Sequence, residues 1–135
     1  MVTVTPEIRY ESSVLSIGSM VEQFLGMKML IIFGEGAPEE LHDICVIHRP
    51  ATRTGGVQPG DRLVLGDQEF DILAVGDVAD QNLRALGHVS FKANGLDTAP
   101  LPGDICLEEV DLPLLKIGSR IQIVSGGSTE TEDAR

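Results

Sequence analysis

His48 is the side chain in this sequence whose surroundings best suit chemistry. It ends a predicted short strand, Cys45-Val46-Ile47-His48, where a side chain is expected to border solvent, and Arg49 and Pro50 follow it. A neutral imidazole is a good nucleophile near neutral pH because its reference pKa is about 6.5. Histidine also forms covalent intermediates in many enzymes. We therefore predict His48 as the catalytic residue.

Positive charge and hydrogen-bond donors follow His48 closely enough to receive an anion. Arg49 and Arg53 form a local positive patch in a chain whose net charge is −11. Guanidinium groups bind phosphate through charge-assisted hydrogen bonds, and backbone N–H groups of tight turns can surround it. The loop ATRTGG supplies such groups. The predicted phosphate-binding residues are Arg49, Arg53, Thr54, Gly55 and Gly56.

Histidine and cysteine side chains can bind a metal ion, but their spacing in this sequence does not support a metal site. His42, Cys45 and His48 are three residues apart, and zinc binds imidazole and thiolate groups. Alternation along a strand, however, points Cys45 and His48 to opposite faces. We therefore predict no metal site and keep a small zinc-binding protein as an alternative. His88 begins a predicted strand, where an imidazole bonded to the backbone is the simplest interpretation.

The composition argues against several classes of function. Nucleic-acid binding depends mainly on Lys and Arg, whereas this chain has twenty-one acidic and ten basic residues, which favour a basic partner. The chain has few aromatic side chains that could stack on a sugar ring: one tyrosine, four phenylalanines and no tryptophan. We expect neither nucleic-acid binding nor direct sugar binding. Neither the Walker loop nor the dinucleotide glycine fingerprint occurs.

The length and the two ends of the sequence predict one cytoplasmic domain. A chain of 135 residues can bury a single core, and we assign it to residues 1–124. Residues 125–135, SGGSTETEDAR, are polar and predict a disordered acidic tail. The sequence has no apolar run of membrane-spanning length and no signal-peptide pattern, which predicts a cytoplasmic location.

The elements that must position His48 are mostly strands. Met29 to Phe33 is a run of five apolar residues typical of a buried strand. Pro50 is expected to end the strand of His48, because proline cannot donate to a ladder. A glycine-containing turn before an alternating strand recurs three times, at Gly60, Gly103 and Gly118. These patterns predict a mainly β fold, a compact barrel-like domain with two or three short helices.

The predicted core follows from apolar residues that alternate within the strand patterns. Helices are predicted near residues 20–25 and 78–86, the second ending at Gly87. The predicted core residues are Ile31, Phe33, Leu63, Leu65, Ile72, Val89, Phe91, Ile121 and Ile123.

Several short motifs, in one order along the chain, resemble a known family. The motifs are EGAP at residues 35–38, the pair Ile47-His48, AVG at residues 74–76, and NLR and LGHV within residues 82–89. They resemble the glucitol/sorbitol-specific enzyme IIA component of the bacterial phosphotransferase system. The likeness covers about residues 29–96.

The resemblance implies a cytoplasmic phosphoryl carrier for glucitol/sorbitol uptake. Such a protein accepts phosphate from the phosphocarrier HPr on a histidine and passes it to the enzyme IIB component; the enzyme IIB/IIC permease components are thus implied partners. By its position in the motif that histidine is His48, and His88 is a possible helper. No cofactor is needed, because the phosphate arrives already activated. A non-catalytic regulatory or binding module of the same fold is the alternative.

Overall fold

The computed structural model describes residues 7–126 as a closed eight-stranded barrel with short helical segments. The prediction of a mainly β, barrel-like fold with two or three short helices is therefore confirmed. The predicted tail falls outside the described residues from position 127 onward. The strands are β1 (Ile8–Ile17), β2 (Met29–Gly34), β3 (Val46–Arg53), β4 (Arg62–Leu65), β5 (Gln68–Val75), β6 (Val89–Lys92), β7 (Asp104–Leu107) and β8 (Arg120–Val124). The helices are α1 (Val21–Leu25) and α2 (Ala79–Leu86), with a single 3₁₀ turn at Glu39–Leu41.

The order of strands around the barrel places β3 between β1 and β2. Neighbouring strands follow the order β1-β3-β2-β6-β7-β5-β4-β8, and β8 pairs with β1 to close the barrel. The pairs β2–β3 and β6–β7 are parallel, and the other six pairs are antiparallel. Within residues 7–126, no helix has the length and apolar character needed to cross a membrane. The strand that carries His48 thus has a partner on each side.

The barrel interior contains the apolar side chains that alternate inward along the strands. Seven of the nine predicted core residues lie in this main core, which confirms their orientation: Leu63, Leu65, Ile72, Val89, Phe91, Ile121 and Ile123.

The prediction for β2 is wrong by one residue in phase. Leu30 and Ile32 are fully buried in the main core, whereas Ile31 is half-buried and Phe33 belongs to a separate outer cluster. This outer cluster is centred on Phe33, Cys45 and Ile47. A run of five apolar residues has no polar alternation, so the sequence could not show which side faces inward.

Leu30→Ala is expected to lower the free energy of unfolding by about 2–5 kcal/mol, because it leaves a cavity in the barrel core. Ile31→Ala is the matched control on the other face of the same strand. Its cost should be smaller, since part of the Ile31 side chain already contacts water. Urea denaturation of both variants measures the difference. An equal or larger cost for Ile31→Ala would contradict this orientation of β2.

The three recurring turns share one hydrogen-bond arrangement. In each turn the side chain of Asp61, Asp104 or Ser119 accepts a hydrogen bond from the backbone N–H three residues earlier, at 3.0, 3.1 and 2.9 Å respectively. Gly60 and Gly118 adopt φ angles of 97° and 90°, which favour glycine. Short-range turn chemistry therefore explains why this pattern precedes β4, β7 and β8.

Candidate functional site

His48 lies on the inner face of β3. It stands opposite Val14 of β1, which belongs to the main core, and its side chain is fully buried. The expectation that this imidazole borders solvent is therefore wrong, because inward alternation and the surrounding backbone enclose it. The predicted alternation itself is confirmed, since Val46 packs in the main core and Cys45 and Ile47 pack in the outer cluster.

The backbone of Gly87 fixes the protonation of the His48 ring. The Nε2 atom of His48 lies 2.7 Å from the carbonyl oxygen of Gly87. A carbonyl oxygen only accepts, so Nε2 carries the proton and the lone pair of the neutral ring lies on Nδ1. Burial lowers the pKa of His48, the hydrogen bond to Gly87 opposes this, and the positive charge of Arg53 lowers the pKa further. His48 is therefore neutral at neutral pH and has a nucleophilic nitrogen.

Two glycines allow the end of α2 to pack directly on the end of β2. Gly34 is the ladder partner of His48, and a Cβ atom on Gly34 would lie 2.6 Å from the carbonyl oxygen of Leu86. A Cβ atom on Gly87 would lie 2.9 Å from the Gly34 backbone and 3.2 Å from Nε2 of His48. Gly87 also has a φ of 69°, in the left-handed region. This close approach places the Gly87 carbonyl beside the imidazole, and Gly87 ends α2 as predicted.

A cleft of about 220 Å³ opens beside the buried imidazole. Its lining includes both Gly34 and Gly87, the backbone neighbours of His48, and also Arg53 and the exposed side chain of Leu86. The cleft therefore reaches the two backbone segments that border the His48 ring. The lining residues are Phe33, Gly34, Glu35, Gly36, Pro50, Arg53, Ala85, Leu86 and Gly87.

Strand β3 continues past Pro50 to Arg53, which corrects its predicted end. Strand β2 ends opposite His48, so the missing N–H of Pro50 removes no bond of the β2–β3 ladder. Pro50 stands opposite Ser12 and Thr52 opposite Glu11, so the intervening Ala51 forms a bulge. A bulge changes the side to which the following side chains point.

The bulge directs Arg53 toward the cleft. Arg53 stands opposite Tyr10, whose side chain faces the barrel interior, and one guanidinium nitrogen of Arg53 donates to the carbonyl of Arg84 at 3.3 Å. The positive charge of Arg53 acts on the pKa of both His48 and Tyr10. Of the two arginines predicted to bind phosphate, Arg53 is the one on the side of His48.

Arg49 faces away from His48. It is exposed and donates two hydrogen bonds to the Glu35 carboxylate, at 3.1 and 2.9 Å. The hydrogen bond from Arg49 lowers the pKa of Glu35. This ion pair and the alternation of β3 hold Arg49 on the outer face of the strand. The structure therefore does not bring Arg49 and His48 together.

The loop after β3 does not present free backbone donors at Gly55 and Gly56. The Gly55 N–H donates to the Arg9 carbonyl at 2.9 Å, and the N–H of Gly56 donates to the Asp80 carboxylate at 3.1 Å. Thr54 is exposed in the same loop. Both backbone donors that the loop sequence suggested for phosphate are thus bonded within the protein, so the prediction for these two glycines does not fit the geometry.

His88 and His48 lie on different sides of the barrel wall. The Nδ1 atom of His88 is 3.1 Å from the carbonyl oxygen of Ile32, and its ring stacks on Phe33 with ring centroids 4.4 Å apart. Phe33 belongs to the outer cluster. The structure therefore supports a structural role for His88 and gives it no contact with the His48 imidazole.

Two buried hydroxyl groups near His48 were not predicted from the sequence. Tyr10 and Ser12 lie on the inner face of β1, and the Tyr10 ring meets the His48 ring edge-on, with centroids 6.0 Å apart. Among residues 7–126, the buried side-chain atoms without a hydrogen-bond partner are Tyr10 OH, Ser12 Oγ and His48 Nδ1. The signal was the pattern Tyr10-x-Ser12-x-Val14, which places polar groups at inward positions of a strand.

The cysteines and His42 do not assemble into a metal site. Within the range that the structure describes, no three side chains of His, Cys, Asp or Glu come together in a way that could hold a metal ion. Cys45 is buried in the outer cluster, and burial raises its pKa to about 11. The Nε2 atom of His42 lies 3.1 Å from the carbonyl oxygen of Ala37.

Comparisons with known proteins agree with one another. A family model described as the PTS system glucitol/sorbitol-specific IIA component matches residues 9–122. The chain is similar to the PTS system glucitol/sorbitol-specific EIIA components of Shigella flexneri and Escherichia coli (strain K12). It is 40% identical to each over 96 residues, which are 71% of this chain and 78% of each relative.

A solved structure shows the same fold. The PTS system IIA component from Enterococcus faecalis V583 superposes with a TM-score of 0.69 and 27% sequence identity, over 82% of this chain and 96% of that chain. The family match extends over most of the barrel, from β1 into β8, and includes both His48 and the cleft. The chain therefore belongs to the family of glucitol/sorbitol-specific IIA components of the phosphotransferase system.

Proposed function

We propose that this chain is a cytoplasmic phosphoryl carrier that accepts phosphate from HPr on His48. It then passes the phosphoryl group to the enzyme IIB component during glucitol/sorbitol uptake. Membership of the IIA family supports the carrier role. The observation that carries the assignment to His48 is the 2.7 Å hydrogen bond from Nε2 to Gly87, which leaves the lone pair on Nδ1.

The chemistry needs no metal and no proton transfer at His48. Nδ1 attacks the phosphorus of the donor phosphohistidine in line, through a loose transition state. The N–P bond of the donor breaks, and its electron pair stays on the donor ring, which leaves as neutral imidazole when its other nitrogen is protonated. The acceptor ring keeps its Nε2 proton and becomes cationic. The Gly87 carbonyl then accepts a hydrogen bond from a charged ring, and such bonds are stronger.

Access to His48 requires a local opening of the protein. The imidazole is fully buried in the free chain, and the cleft approaches it only as far as Gly34 and Gly87. Gly87 borders Nε2, so the opening must also expose Nδ1. We infer that docking of the phosphorylated donor at the cleft moves this lining away from the imidazole ring, as opening segments do in many enzymes. The net charge of −11 favours encounter with a basic surface on the donor.

Arg53→Ala should slow phosphoryl transfer without abolishing it. Arg53 lies in the cleft on the side of His48, and loss of one charge-assisted hydrogen bond is worth about 1.5–3 kcal/mol, or roughly ten- to hundredfold in rate. Arg49→Ala is the matched control, because Arg49 faces the other way and pairs with Glu35. Rapid-quench transfer from phosphorylated HPr measures both rates. A larger defect in Arg49→Ala would contradict this placement.

Incubation with phosphoenolpyruvate, enzyme I and HPr tests the carrier function directly. Intact-mass measurement should show the gain of one phosphoryl group, in a linkage that is labile in acid and stable in alkali, as an N–P bond is. A chain that stays unmodified while HPr is phosphorylated would instead indicate a regulatory or binding module of the same fold.

A further inference from the structure

The inner face of β1 carries two buried hydroxyl groups, those of Tyr10 and Ser12. Ser12 is 2% exposed and Tyr10 is fully buried, yet neither hydroxyl has a hydrogen-bond partner within residues 7–126. Buried polar groups are nearly always paired, and an unpaired one costs about 1–3 kcal/mol. The third such atom is Nδ1 of His48, the nitrogen that holds the lone pair. These three atoms on two adjacent strands have hydrogen-bonding capacity that the residues around them do not use.

The geometry of β1 and β3 places these atoms on one surface. Val14 stands opposite His48 and Ser12 stands opposite Pro50, so Ser12 is the diagonal neighbour of His48 on the inner face. The Tyr10 ring meets the His48 ring edge-on, with ring centroids 6.0 Å apart. Arg53, opposite Tyr10, adds a positive charge at the cleft end of this surface.

We propose that the Tyr10 and Ser12 hydroxyls bind the phosphoryl group on Nδ1 of His48. This inference rests on the proposed function and adds two phosphoryl-binding residues to it. Each hydroxyl keeps its proton and donates a hydrogen bond to a phosphoryl oxygen, so the transfer remains the exchange of one N–P bond for another. Arg53 supplies the positive charge near the same oxygens.

The chemistry of the two hydroxyls suits this role. Burial raises the pKa of Tyr10 to about 12, against a lowering by Arg53, so the phenol keeps its proton at neutral pH. Hydroxyl groups that have no partner in the free protein are available at the moment of transfer without breaking other bonds. The unpaired state therefore costs stability in the free chain, and the phosphoryl group offsets that cost.

Tyr10→Phe, Ser12→Ala and the double variant test this proposal. Single-turnover transfer from phosphorylated HPr should slow about tenfold for each single variant and about a hundredfold for the double variant, since each loses one hydrogen bond to a charged group. Ser12→Thr, which keeps a hydroxyl, should restore most of the rate. Ser13→Ala is the control, because Ser13 is the exposed neighbour on the same strand. Melting temperatures should not fall, since the lost hydroxyls have no partner in the free chain.

The outcomes separate this proposal from the carrier function. Wild-type transfer rates in the double variant, with His48 still phosphorylated, would overturn the proposal and leave the carrier function standing. A wild-type chain that HPr cannot phosphorylate would overturn both. NMR of the phosphorylated protein with ¹⁵N-labelled histidine should place phosphorus on Nδ1, and phosphorus on Nε2 would overturn the proposal even if a Tyr10 variant failed to fold.

Discussion

His48→Gln is expected to lose phosphoryl acceptance from HPr completely and to keep the barrel fold. The imidazole is buried, so His48→Ala would leave a cavity and an unpaired Gly87 carbonyl, and a loss of activity could reflect a loss of structure. Glutamine has a similar length, and its amide N–H can donate to Gly87. It lacks a nucleophilic nitrogen. Intact-mass measurement after incubation with the phosphorylated donor, together with thermal denaturation, checks both parts.

His88→Gln is the matched control for this variant. His88 stacks on Phe33 and bonds to the backbone on the outer side of the barrel wall. We expect a modest loss of stability and a transfer rate near that of the wild type. A phosphoryl group on His48→Gln at the wild-type level would refute the assignment to His48. A selective loss of transfer in a stable His88→Gln protein would instead contradict the structural role of His88.

Asp61→Ala should lower the free energy of unfolding by about 3–5 kcal/mol, the largest stability effect we expect in the chain. Asp61 is 2% exposed, accepts from Arg9 Nε at 2.6 Å and accepts from the Gln58 N–H at 3.0 Å. Its removal leaves the mostly buried Arg9 guanidinium without this partner and opens the turn before β4. Arg9 precedes Tyr10, so the ion pair also holds β1 beside the site.

Asp67→Ala is the control for the Asp61 variant. Asp67 is exposed in the turn between β4 and β5, where a substitution usually changes stability by less than about 0.5 kcal/mol. Guanidinium denaturation of the two variants gives the comparison. Similar unfolding free energies for both would show that the buried carboxylate does not stabilise the barrel.

The parts of the structure that depend on short-range chemistry were predictable. Three turns of one design precede strands, because a glycine and a polar side chain satisfy the local backbone without help from distant residues. The opposite orientations of Cys45 and His48 follow from strand alternation alone. Gly87 ends α2 in the left-handed conformation that the glycine stop predicted. The family motifs around His48 were also visible in the sequence.

The features that the sequence did not reveal depend on residues far apart in the chain. His48 is buried because the end of α2 packs on β2 through Gly34 and Gly87, which are separated by more than fifty positions. The Asp80 carboxylate accepts a hydrogen bond from the Gly56 N–H, which is another contact between residues far apart in the chain. The direction of Arg53 depends on a bulge that appears only when β3 pairs with β1. Local patterns do not contain such pairings.

Locating the phosphorylated residue is the measurement that tests the assignment to His48 most directly. The chain has three histidines, His42, His48 and His88. Wild-type protein phosphorylated through HPr, digested above neutral pH and analysed by electron-transfer fragmentation, gives fragment ions that separate His42 from His48 within one peptide. We predict that the phosphoryl group lies on His48. A phosphoryl group on His42 or His88, or on no histidine, would contradict the account.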